Sequence, residues 1–123
     1  MTTWITICDT CRRDDMGDAG QTPPHGQALA GLIDAMTEGS ALKTRRISCL
    51  MGCTHGCNVA IQAKGKMAYT LGNFTPDSDA AQAIVDYARL HAASKSGVIA
   101  YSHWPEGVKA HFISRQPPLP DEG

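Results

Sequence analysis

The five cysteines of this chain fall into two groups, and the way those groups are spaced limits the fold more than any other feature. Cys8 and Cys11 form a C-x2-C; after 37 further residues Cys49, Cys53 and Cys57 form a C-x3-C-x3-C. Each group begins where a strand-like run ends. Residues 3–8, TWITIC, are β-branched and aromatic with partial alternation, and residues 42–48, LKTRRIS, read as a second, less hydrophobic strand near a sheet edge. Neighbouring strands lie about 4.8 Å apart, so two such strands side by side would hold their ends roughly 5–10 Å apart. Thiols from both loops could then converge on one centre.

The remaining pattern supplies the layers around such a pair. Leu29, Leu32, Ile33 and Met36 recur at three- and four-residue spacing, which predicts an amphipathic helix over 25–38 with Gly39 as its stop. The charged, Gly- and Pro-containing segment before it, residues 9–24, reads as loop. Residues 58–62 and 66–71 form a strand pair around the glycine-containing turn Ala63-Lys64-Gly65. Thr75-Pro76-Asp77 opens a second helix, with the hydroxyl as N-cap and proline at the first helical position, running to about Ala93 and ended by residues 94–97. Residues 98–101 suit a short strand, and the proline-rich remainder reads as an extended arm. In that arm Trp104-Pro105 and Phe112 either anchor a dimer or redox partner or fold back on the core. The order strand, helix, strand, strand, strand, helix builds an α/β domain. Its mixed sheet has four to five strands, two main helices pack on it as in thioredoxin-like folds, and a C-terminal arm follows. Residues 1–97 would be the thiol-bearing domain, and 98–123 an extension of the same domain or a partner-binding arm.

At 123 residues the chain can bury one modest core without covalent staples. Eleven Lys+Arg against twelve Asp+Glu leave it near neutral, with no global field toward nucleic acid. Neither a secretory leader nor an apolar run of about 18 residues is present, so the expected setting is the cytoplasm, without membrane contact. There, persistent disulfides are rare, and an odd cysteine count argues further against a disulfide framework.

Thiolates suit iron-sulfur clusters, zinc and cuprous copper. Gly52 and Gly56 allow a loop to approach a cluster closely, and Arg12 and Arg13 would offset thiolate charge. Cysteines at four-residue spacing also describe one face of a helix, but the interleaved Gly52, Thr54, Gly56 and Asn58 make a poor helix. Zinc ribbons use two C-x2-4-C knuckles, and C-x2-C with C-x3-C satisfies that spacing equally well. A thiol-disulfide enzyme would use Cys8 and Cys11, whose C-x2-C follows a strand, although the loop-like residues 12–18 then replace the usual helix start and the second group has no role. No phosphate loop, H-E-x-x-H or G-x-S-x-G is present, so a carrier or metal-binding protein is expected in preference to an enzyme.

The run from Cys49 to Gly56, with Asn58-Val59-Ala60-Ile61, a glycine turn and Tyr69, resembles the second half of the thioredoxin-like [2Fe-2S] ferredoxins and the matching region of the small iron-sulfur subunit of respiratory complex I. The whole chain is similar to a family of small bacterial cysteine-rich proteins described as metal-binding and often encoded near cobalamin-synthesis genes; the shared features are I-x-C-x-x-C-R, the C-x3-C loop and Arg115-Gln-Pro-Pro. The ferredoxin resemblance implies a [2Fe-2S] electron carrier, often a homodimer, with Cys8 as first ligand, Cys49 as third and Cys53 as fourth. The family's second cysteine lies further along the first loop, and proline stands where this chain has Cys57. Cys11 keeps two ligands in each loop and is the expected second ligand, with Cys57 as alternate. Zinc, or cobalt carried by a chaperone linked to cobalamin metabolism, is the alternative cargo.

Overall fold

The computed structural model describes residues 2–8, 25–47, 58–72, 74 and 77–118, with backbone only at 25 and 26. Its elements, in chain order, are β1 (Trp4–Cys8), α1 (His25–Thr37), β2 (Lys43–Ile47), β3 (Val59–Gln62), β4 (Ala68–Leu71), α2 (Ser78–Ala93), two one-turn 3-10 helices (Tyr101–His103 and Glu106–Val108) and β5 (Phe112–Gln116). They form a mixed α/β domain with a five-stranded sheet in the order β2-β1-β3-β4-β5. β1 runs parallel to β2 and antiparallel to β3, and the other pairs are antiparallel. A strand-helix-strand unit followed by a hairpin and a helix is the arrangement expected of a thioredoxin-like sheet.

Alternation decides which side of the sheet is core. Ile5 and Ile7 of β1, Val59 and Ile61 of β3, and Tyr69 and Leu71 of β4 point to one face and are buried with Leu29, Ala30 and Ile33 of α1 and Ile84, Val85, Tyr87 and Ala88 of α2. Both helices therefore lie on that face. Thr44 and Arg46 of β2 point the same way and meet Asp34 of α1, each at 2.7 Å. The other face carries Trp4, Thr6 and Cys8 of β1 with their register partners Lys43, Arg45 and Ile47 of β2.

Local chemistry fixes the ends. α1 stops at Thr37, and Gly39 follows with φ 80°, as its sequence position predicts. The start of α2 lies later than expected. Asp77 is the N-cap, its carboxylate accepting from the Ala80 amide at 2.8 Å, while Thr75 and Pro76 fall outside the described residues.

The strand expected at 98–101 is absent there. That segment carries no regular element before the first 3-10 helix, and the fifth strand comes at Phe112–Gln116 instead. Trp104 and Phe112 pack against the core, their rings 4.3 Å apart, and Phe112 also meets Tyr69 and Tyr87 edge-on at 5.7 and 5.3 Å. Residues 98–111 thus cross α2 and return to the sheet edge, so the C-terminal part is built into the fold.

Among the described residues no helix is long and apolar enough to cross a membrane.

Candidate functional site

Because β1 and β2 are adjacent and parallel, their carboxyl ends lie together. Cys8 is the register partner of Ile47, and Ile47 precedes Ser48-Cys49 in the chain. The Cys8 amide also donates to the carbonyl of Asn58 at 3.2 Å, which brings the residue after Cys57 to the same end of the sheet. Both cysteine-bearing segments therefore leave from, or return to, one corner built by β1, β2 and β3. The juxtaposition of strand ends that the sequence required is present.

Cys8 itself is buried, with 1% of its surface exposed, yet it stands outside the hydrophobic core cluster because its side chain points to the face opposite α1 and α2. Of the expected ligands it alone falls among the described residues; Cys11, Cys49 and Cys53, and the alternate Cys57, lie outside them, as do Arg12, Arg13 and His55. Among the described residues no group of three or more His, Cys, Asp or Glu is placed to hold a metal ion.

A second polar cluster, which the sequence reading missed, sits at the opposite end of β1. His91, fully buried near the end of α2, has Nε2 2.7 Å from the Met67 carbonyl and Nδ1 3.0 Å from the Thr3 hydroxyl. A carbonyl can only accept, so Nε2 carries the proton and Nδ1 accepts from Thr3. The largely buried Lys66 donates from Nζ to the carbonyls of His91 and Ala92 at 3.0 and 2.9 Å, closing the C-terminal end of α2. Burial, with the Lys66 charge, holds the imidazole below its ordinary pKa, and the bond to Met67 opposes this in part. The signal was available in the sequence: His91 follows Ile84 and Ala88 on the buried helical stripe. His111 is similarly committed, its Nδ1 donating to the Gly72 carbonyl at 2.8 Å and its ring stacked on Phe74 at 4.3 Å. Neither imidazole is presented to an open site.

The fold and the corner define a class: a small thioredoxin-like α/β domain whose cysteine-bearing segments are rooted at the carboxyl ends of its two parallel strands. The chain belongs to the family described as a protein of unknown function (DUF1636), which matches residues 5–118 and so takes in both cysteine groups and β5. No match is found among curated proteins or among solved structures.

Proposed function

We propose that the protein is a ferredoxin-like electron carrier whose [2Fe-2S] cluster is held by Cys8, Cys11, Cys49 and Cys53. The observation that supports this most directly is the in-register pairing of Cys8 with Ile47 on parallel neighbouring strands. Chain reach does the rest. Cys11 lies within about 11 Å of Cys8, and Cys49 within about 7 Å of Ile47, even for fully extended backbone. The donor set fits the group, since four thiolates are what such a cluster takes. When bound, the cluster accepts and returns one electron at a time; the protein's part is to bring the four sulfurs together and to set their exposure and hydrogen bonding. The buried position of Cys8 gives the inner side of the site a dry wall.

An ultraviolet-visible spectrum of protein purified without oxygen tests this. Charge-transfer bands that bleach with dithionite are expected, lost in Cys49→Ser and Cys53→Ser and unchanged in Cys57→Ser. A colourless protein with stoichiometric zinc, or one showing the d–d bands of thiolate-bound cobalt in place of the cluster spectrum, would assign the same thiols to metal storage or delivery, and insulin reduction abolished by Cys11→Ser would assign them to thiol-disulfide exchange.

A further inference from the structure

Among the described residues, the sheet face opposite α1 and α2 differs chemically from the helical side. Every described carboxylate belongs to the helical side: Asp34 and Glu38 at α1, Asp77, Asp79 and Asp86 at α2, and Glu106 in the second 3-10 helix. The opposite face carries Lys43 and Arg45 and, among the described residues, no acid. Among the described residues charge is thus segregated, with basic side chains and no acid on this sheet surface.

Arg45 is also held in place. Its Nε donates to the Thr6 hydroxyl at 2.7 Å, one terminal nitrogen donates to the Gln62 side chain at 3.3 Å, and the guanidinium lies 6.0 Å from the centre of the Trp4 ring. Terminal N–H groups of the guanidinium are left over for an outside acceptor. Two large apolar side chains flank it in the open, Trp4 at 38% and Ile47 at 41% exposure. A fixed arginine on an exposed tryptophan is the composition of a binding hot spot, and because its geometry is set beforehand little ordering entropy is lost on contact.

We propose that this face, centred on Trp4, Lys43, Arg45 and Ile47, is a docking surface for a protein partner that presents carboxylates around an exposed apolar side chain. Carboxylates would pair with Lys43 and fork onto Arg45, and the apolar group would cover Trp4 and Ile47. Since Ile47 is the register partner of Cys8, a partner seated here would rest beside the cysteine corner. The proposal stands on the charges and does not need the cysteines to hold a cluster.

Titration of 15N-labelled full-length protein at low salt with a short synthetic peptide of Glu and Asp around one central Leu tests it. The two tryptophans provide an internal control. The Trp4 indole and Arg45 Nε signals should shift, whereas the Trp104 indole, whose N–H is bonded to the Ile99 carbonyl at 2.8 Å, should not. Binding should fade as salt approaches 1 M, where the screening length falls to about 3 Å. Lys43→Glu should weaken it about tenfold, while Arg89→Glu, the same charge change on the exposed side of α2, should leave it within about twofold. No shift at millimolar peptide, or shifts centred on α2, would overturn the proposal. So would the same signals moving on self-concentration, which marks a second copy as occupant, or with oligothymidylate but not the peptide, which marks nucleic acid.

Discussion

His91 ties the end of α2 to the start of β1 and to the residue before β4, and it does so as a neutral ring. In the unfolded chain it takes up a proton near its ordinary value of 6.5, whereas in the fold burial among Thr3, Met67 and the Lys66 ammonium holds that value down. The unfolded state therefore binds more protons below that pH. This contribution to stability is fully present above about pH 6.5 and is lost as pH falls through the lowered folded value. Urea unfolding of the wild type should give a midpoint that drops from pH 7.5 to pH 5.5 (about two pH units, spanning the ordinary imidazole range), and His91→Gln, less stable at the upper pH, should show a shallower drop. Gly97 closes over the same ring with φ 79°. A Cβ there would come within 2.8 Å of His91 Nε2 and 3.0 Å of the Met67 amide nitrogen. Gly97→Ala should cost about 2 kcal/mol or more, read as a fall in melting temperature. At this scale the sequence was partly legible. Leu29, Ile33, Ile84 and Ala88 announced themselves by spacing, but the role of His91 depends on Thr3 and Met67, distant in sequence, and only the sheet brings them to it.

Elements were readable where local chemistry suffices. The periodicity of α1, its glycine stop and the Ala63-Lys64-Gly65 turn between β3 and β4 all form where expected, with Lys66 N–H donating to the Ala63 carbonyl at 3.1 Å. The N-terminus of α2 comes later than its strongest local signal: Asp77 is the N-cap, and its carboxylate accepts from the Ala80 amide. Asp77→Ala should therefore cost about 1 kcal/mol, read from denaturation curves of variant and wild type. The C-terminal strand was missed for a different reason. Val98, Ile99 and Tyr101 look more strand-like than Phe-Ile-Ser-Arg-Gln, but strand formation needs a partner, and the open edge of β4 is met by residues 112–116.

For the molecule as a whole, the C-terminal segment acts as a clasp across α2, and Phe112 is its fastening, meeting Tyr69, Tyr87 and Trp104 at once. Phe112→Ala should cost about 3 kcal/mol, at the low end for such a change because the ring is only partly buried, and should reduce the near-ultraviolet circular dichroism. That the two cysteine-bearing segments are rooted at one corner was legible in so far as strand neighbours can be guessed from where strand-like runs end. Which of Cys11 and Cys57 would complete the proposed ligand set depends on loop conformation, which hydrophobic pattern does not encode. The position of β1 in the middle of the sheet bears also on how the protein is made. Trp4 pairs with Lys43 on one side and Gln62 on the other, so the strand synthesised first can be seated only after the chain has grown past β3. At common synthesis rates that interval is on the order of several seconds, far longer than a helix such as α1 needs to form. Cys8 is thus made early and gains both of its strand neighbours late, only once about half of the chain has been synthesised.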